Sequence, residues 1–356
     1  MTGRQERFSG EEAPPAHLEL DLNRLGAWLG PRIAGMATGL SATKFKGGQS
    51  NPTYRIHGPG GDFVLRRKPP GKLVGSAHRI DREFRILAAL DGTGVPVPRA
   101  IAYCPDESVI GSAFFIAEFV DGRVFWEAPM DGVAPAHRAA IHDEANGILA
   151  RLHDLDPAAI GLADLAPPGS YAARNLARWS DLYRAARPTV LPDMEWLMEQ
   201  LPRHLPRHEE ARFIHGDFGL YNLIVHPDDP RILAVLDWEM ATIGDPLIDL
   251  AHHLRAWWDL PDSGLAATSL VGLDLKALGI PAMDDYVRRY CDRRRMAVPD
   301  MRWYLAYAQF RYAAMVQGIV RRAADGTASS RTMVHDQGRV ARIAALARHS
   351  LEALTG

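Results

Sequence analysis

The hydrophobic pattern of the first third of the chain is strand-rich, with clear alternation over Phe63–Lys68, and beyond Asp121-Gly122 it changes to the 3.6-residue period of long amphipathic helices. Ala42–Gly47 and Thr53–His57 read as strands around the turn-forming run GGQSNP, so a hairpin is predicted there. A third strand, Asp62–Arg67, runs up to the breaker Pro69-Pro70-Gly71. A helix is predicted over Ala77–Leu90, followed by strands near Arg99–Tyr103 and Ala113–Phe119. Amphipathic helices are predicted over Ala136–Leu155, Tyr171–Arg184, Met194–Leu201, Met283–Arg293, Met301–Ala323 and Val334–Leu354. One β-rich island, Arg212–Asp237, interrupts them. The expected class is α+β and bilobal: a small antiparallel-sheet lobe with one main helix, then a larger, mainly helical lobe. The expected divisions are a flexible N-terminal arm over 1–20, the small lobe over 21–121 with a linker at Glu118–Gly122, and the helical lobe over 122–356. A ligand is expected in the gap between lobes.

Composition removes several alternatives. With 47% hydrophobic residues over 356 positions, the chain can bury a core without covalent staples. Cys104 and Cys291 are its only cysteines, too few for a disulfide framework or a four-thiolate metal site. A net charge of −2 offers no bulk attraction to nucleic acid or anionic lipid. The start, MTGRQERFSGEEAPPAHLEL, has no apolar core of a signal peptide, and the longest apolar stretch, Ala113–Val120, is broken by Glu118. A cytoplasmic protein without nucleic-acid or membrane partners is expected.

The chemistry concentrates in FIHGDFGLYNLIVHPDDPRILAVLDWE, residues 213–239. Leu223–Val225 and Ile232–Leu236 read as a hairpin closed by His226-Pro-Asp-Asp-Pro. That folding brings Asn222 and Asp237 to the same open end, with Asp217 nearby. Carboxylate and carboxamide oxygens at one place suit a hard cation such as Mg²⁺. The spacing H-x-D-x-x-x-x-N followed by a second Asp is a phosphoryl-transfer pattern. In it Asp217 would receive the proton of an acceptor hydroxyl, while Asn222 and Asp237 would hold the metal. On the wheel of the helix Ala77–Leu90, Glu83 shares the stripe of Ile80, Phe84, Leu87 and Leu90. A carboxylate facing an apolar interior needs a partner. Strand parity puts Val64, Arg66 and Lys68 on one side, which makes Arg66 that partner. No G-x-S-x-G, H-E-x-x-H or C-x-x-C occurs, so hydrolase and zinc chemistries find no support.

The block His215-Gly216-Asp217, Asn222, Asp237-Trp238-Glu239, continued by Gly244-Asp245-Pro246-Leu247-Ile248-Asp249-Leu250, resembles the catalytic core of the aminoglycoside phosphotransferase-like, protein-kinase-like family. Within that family the chain is most similar to the kinase-like N-terminal domain of certain acyl-CoA dehydrogenases. GGQSNPTY (47–54), FVLRRKPPGKL (63–73), SAHRIDREFRIL (76–87) and EFVDGRVFW (118–126) carry that likeness. The resemblance implies ATP and Mg²⁺ as cofactors and a small-molecule hydroxyl as acceptor. A hydroxyacyl group or its CoA thioester is the first choice of acceptor, and an aminoglycoside or other amino-alcohol the second. A nucleotide-binding regulator without turnover is the remaining alternative. Arg66 stands where kinases of the protein type carry lysine, and its planar fork can still grip phosphate. Gly47-Gly48-Gln49-Ser50-Asn51 would form the phosphate-covering turn, with Gly47, Gly48 and Ser50 approaching the phosphates, although a full G-x-G-x-x-G is missing. The Glu118 carbonyl and Val120 amide would meet the adenine edge. Asp245 and Asp249 are expected to cap and tether the following helix, and His215 to be structural. His252, His253, Trp257 and Trp258 either border the acceptor or fill the core; Trp179 and Tyr221 have the same two readings.

Overall fold

A tight turn at Pro59-Gly60 joins two strands whose register runs from Gly58↔Gly61 to Thr53↔Arg66. The computed structural model describes residues 3–47, 51–69, 79–166, 168–261, 268–325 and 337–355. The chain forms two compact units, Met1–Trp126 with Leu220–Met240, and Glu127–Gly219 with Ala241–Gly356.

The first unit opens with α1 (Arg4–Phe8), β1 (Glu11–Glu12) and α2 (Leu22–Leu29). The Asp21 side chain caps α2 by accepting the Arg24 N–H at 3.0 Å. There follow β2 (Ser41–Phe45), β3 (Thr53–Gly58), β4 (Gly61–Arg67), α3 (Ile80–Leu90), β5 (Ala100–Cys104) and β6 (Phe114–Glu118). The antiparallel sheet runs in the order β1-β2-β3-β4-β6-β5. Leu25 and Leu29 of α2 pack with Tyr54, Ile56, Leu65, Phe114 and Ile116 of the sheet to form its core.

Residues 3–20 are more ordered than the expected flexible arm. Glu11 and Glu12 pair with Phe45 and Lys44 as an edge strand. Arg55 Nη1 donates to Glu11 at 3.1 Å and Lys44 Nζ to Glu12 at 3.0 Å. Gln5 Nε2 donates to the Val124 carbonyl at 2.7 Å, and the Trp126 N–H returns a bond to Gln5 Oε1 at 2.9 Å. These are polar and ionic attachments, so they leave no apolar periodicity to read.

The second unit continues with α4 (Pro135–Asp154), α5 (Tyr171–Ala186), α6 (Pro192–Gln200) and β7 (Arg212–Ile214). Proline at the first turn of α4 and α6 sets their starts without removing a needed donor. The chain then returns to the first unit for β8 (Leu223–Val225) and β9 (Ile232–Val235). It re-enters the second unit with β10 (Thr242–Gly244), α7 (Pro246–His253), α8 (Arg255–Trp258), α9 (Leu275–Leu278), α10 (Met283–Arg293), α11 (Arg302–Ala324) and α12 (Gln337–Thr355). β10 pairs antiparallel with β7, which brackets the β8–β9 excursion with a two-stranded clasp.

These units differ from the expected cut at 121/122, because 122–126 and the β8–β9 hairpin pack with the first sheet. Arg123 and Val225 exchange backbone bonds of 2.7 and 2.8 Å, and the Val235 N–H donates to the Pro96 carbonyl at 2.8 Å. A Cβ on Gly122 would lie 2.4 Å from Ile224 Cγ2 and 2.7 Å from the Val225 oxygen, so only glycine permits that approach. Among the described residues, no helix is long and apolar enough to cross a membrane.

Candidate active site

In the first unit the site is built around Arg66. β4 is hydrogen-bonded on both sides, with Arg66 opposite Thr53 and Phe115, so the side chain leaves the sheet toward α3. Arg66 Nε donates to Glu83 Oε2 at 2.9 Å, and Nη2 donates to Asp237 Oδ1 at 2.7 Å. Nη2 also stands 3.6 Å from Glu239 Oε2, and Nη1 is 3.5 Å from Thr53 Oγ1. Glu239 in turn accepts from Asn51 Nδ2 at 3.5 Å. One guanidinium thus faces three carboxylates. Burial by itself lowers the Arg66 pKa, but Glu83, Asp237 and Glu239 outweigh it and raise it above the ordinary guanidinium range. Burial pushes Glu83 above the usual carboxylate range; Arg66 resists this, and Asp237 and Glu239 add to it.

The β8–β9 hairpin delivers Asn222 and Asp237 to that cluster's unit. Leu223 pairs with Val235, and the Leu236 N–H donates to the Asn222 carbonyl at 2.8 Å. Asn222 and Asp237 therefore flank one open end of the hairpin. Asp237 adopts φ +64°, a left-handed conformation that non-glycine residues rarely hold. Trp238 anchors it from the next position: the indole is buried and donates to the Val235 carbonyl at 3.0 Å. Oxygen donors of this kind, a carboxylate and a carboxamide, fit Mg²⁺, whose remaining ligands are commonly water and phosphate oxygens. Among the described residues, no three His, Cys, Asp or Glu side chains gather in a metal-holding arrangement. The fit therefore rests on the mixed pair.

The other first-unit positions are less concentrated. Glu118 ends β6 opposite Phe63, and its N–H donates to the Arg99 carbonyl at 2.9 Å. Its exposed carboxylate accepts from the Arg99 N–H at 3.4 Å, so the side chain is occupied outside the Arg66 cluster. Val120 lies in the irregular segment after β6. Gly47 is packed on Trp126, where a Cβ would come within 2.6 Å of the ring. Gly48 and Ser50 lie outside the described residues.

In the second unit β7 leads into His215, Gly216 and Asp217, and α7 grips this loop at two points. Asp249, 1% exposed, accepts the N–H groups of His215 at 2.7 Å and Gly216 at 2.9 Å. His153 Nε2 reaches the same carboxylate at 3.2 Å, and its Nδ1 meets the Tyr290 hydroxyl at 2.6 Å. Burial would raise Asp249, but the bond and charge of His153 and the His215 N–H hold it at about 2. Arg311 donates to the Gly216 carbonyl at 2.8 Å and lies over the Trp179 ring. One turn beyond Asp249, His252 Nε2 meets Asp217 Oδ1 at 2.8 Å. Burial, then the Arg311 charge, lowers His252, which keeps the imidazole neutral at pH 7.

The chain matches the phosphotransferase enzyme family over residues 41–300, most of its length. It belongs to that family. Acyl-CoA dehydrogenase family member 10 of Mus musculus is 42% identical over 292 residues, covering 81% of this chain and 27% of the relative. The chain spans under half the length of the curated relatives it matches, such as this one and family member 11 of Rattus norvegicus. A crystal structure from Ralstonia eutropha, provisionally named an aminoglycoside phosphotransferase, is 40% identical with a TM-score of 0.84. That match covers 94% of this chain and 99% of the other. A thermostable aminoglycoside phosphotransferase in complex with ADP and hygromycin B, 14% identical over 94% of this chain and 97% of its own, shares the fold at a TM-score of 0.58. The phosphotransferase chain has the protein-kinase-like fold, an enzyme architecture of small-molecule kinases.

Of the positions expected from sequence, this phosphotransferase brings Arg66, Glu83 and Asp237 into direct contact. Asp245 caps α7 by accepting the Leu247 N–H at 2.9 Å, and Asp249 tethers the Asp217 loop, both close to expectation. His253 points into the core, Nδ1 3.4 Å from the Phe218 carbonyl. Sequence reasoning missed two contributions, Glu239 beside Arg66 and His252 on Asp217, and it read Asn51 as part of the phosphate-covering turn without its bond to Glu239. Glu239 sits two residues past Asp237 in a named motif, which was the available signal for it. For His252 the signal was its i+3 spacing from Asp249 on one helix face.

Proposed function

We propose that this chain transfers the γ-phosphoryl group of ATP to a hydroxyl of a small molecule, with Mg²⁺ held by Asn222 and Asp237. The observation that carries the reading is the double engagement of Arg66. One guanidinium bonds both the α3 carboxylate and Asp237, linking the phosphate-gripping position to the metal position. When bound, the metal would neutralise charge on the phosphate oxygens. Arg66, oriented by Glu83, would hold phosphate through its planar fork. Backbone groups of Glu118 and Val120 would meet the adenine edge, and the turn containing Gly47, Gly48 and Ser50 would cover the phosphates. Asp217 would orient the acceptor hydroxyl and take its proton.

For the acceptor we favour a hydroxylated acyl group, free or as its CoA thioester. The support is chemical association: the 42% identical relative bears an acyl-CoA dehydrogenase name. The 40% identical Ralstonia protein, named for aminoglycosides, favours an amino-alcohol as the second reading. Retention of Asp217, Asn222 and Asp237 together argues against a regulator without turnover. A cytoplasmic location completes the reading. The test is a mass-spectrometric screen for ATP-dependent gain of one phosphoryl group across hydroxyacyl-CoAs, hydroxy acids, aminoglycosides and amino-alcohols. A product formed by the wild type and lost in Asp217→Asn is the expected result. Nucleotide binding without consumption across the panel would overturn it.

A further inference from the structure

α7 grips the Asp217 loop twice, and the two grips differ in kind. Asp249 binds the backbone of His215 and Gly216, an arrangement that shapes the loop whatever residue stands at 217. His252, three residues on, passes over the backbone and meets the Asp217 carboxylate itself at 2.8 Å. The geometry is asymmetric. His252 has a side chain only 5% exposed, whereas that of Asp217 is 31% exposed. A carboxylate with that access to water does not need a buried imidazole for solvation. The bond does select its rotamer.

The surroundings decide which way the proton lies. Arg311 from α11 and Arg255 of α8 bring positive charge, Asp217 brings negative charge, and His253 is the neighbouring ring on α7. Burial and the two arginines disfavour the imidazolium. A carboxylate only accepts, so the neutral ring carries its proton on Nε2. A neutral donor aligns Asp217 without forming a full ion pair that would suppress its basicity.

We propose that His252 is a positioning residue for Asp217, its Nε2–H holding the carboxylate in the orientation that receives the acceptor's proton. This rests on the phosphotransfer reading for its consequence, but not for the bond itself. Misplacing a reacting group by about 1 Å costs up to ~10²-fold in rate. The expected effect of losing the bond is therefore roughly 10-fold or more in kcat, with the nucleotide KM unchanged.

Two measurements on the full chain test it. The first is phosphate release from Mg²⁺-ATP, with water in the acceptor's place. His252→Leu should lose about 10-fold or more in kcat, and His252→Gln, which restores an N–H near the Nε2 position, should recover most of that loss. The second is ¹⁵N-histidine NMR, with the His252 signals assigned through His252→Gln. It should show a neutral Nε2–H ring at pH 7 whose resonance shifts in Asp217→Asn. Equal rates for wild type and His252→Leu, or a His252 signal indifferent to Asp217→Asn, would overturn the proposal. If the wild type consumes no ATP, either with water or across the acceptor panel, while the resonance shifts as expected, the positioning bond stands and the phosphotransfer reading fails.

Discussion

Two carboxylate clusters, one in each unit, are built on opposite electrostatic plans. Around Arg66, one cation faces Glu83, Asp237 and Glu239. Around Asp249, one carboxylate collects two backbone N–H groups and an imidazole. Burial lifts Glu83 above its usual range, whereas hydrogen bonding holds Asp249 at about 2. The second cluster is complete within the fold and serves to shape a loop. The first sets three carboxylates against one arginine. The ratio of acceptors to donors separates the two.

The largest effect that would sharpen this contrast is on stability. Asp249→Ala strips a buried acceptor from three donors and should cost about 3–5 kcal/mol in urea unfolding. An unchanged midpoint would erase the distinction. The pH dependence has a definite sign. A carboxyl whose folded pKa is depressed stabilises fully above its unfolded value and loses that contribution as pH falls through the folded one. The Asp249 contribution should therefore persist above pH ~4 and fade toward about 2, and Asp249→Asn should flatten that stretch of the stability curve.

Next comes turnover. Asp217→Asn should keep Mg²⁺-ATP affinity and lose at least ~10²-fold in kcat, read by steady-state kinetics and calorimetry on the same preparation. Smaller again, Asp237→Asn should weaken Mg²⁺-dependent ATP binding by ~10-fold or more while sparing Mg²⁺-free binding. Equal affinity in both conditions would remove Asp237 from metal binding. The effect with the lowest expected floor is the coupling between Arg66 and Glu83. A double-mutant cycle on nucleotide binding should return roughly 0.5–3 kcal/mol, and independence of the two sites would break the pair.

Much of the first cluster was legible because it depends on local periodicities. The wheel of α3 put Glu83 among Ile80, Leu87 and Leu90, and all four are buried. The parity of β4 aimed Arg66 at it, and the short β8–β9 hairpin fixed Asn222 and Asp237 to one end. Other features left no such trace. The edge strand Glu11–Glu12 is held by ion pairs to Lys44 and Arg55, so a charged segment looked like a loose arm. The hairpin's attachment to the first unit depends on Gly122 and Arg123, residues that read as linker.

The amino-acid order by itself determined the α+β class, the positions of most strands and helices, the hairpin that aligns Asn222 with Asp237, and the Arg66–Glu83 pair. Each of these follows from repeats of two or 3.6 residues, or from neighbours a short turn apart. Only the tertiary structure decided that Arg66 also holds Asp237, 171 residues away, and that His252 holds Asp217, 35 residues away. Those meetings depend on which faces of separate elements pack together, and backbone periodicity encodes the direction of a side chain without naming what it will meet.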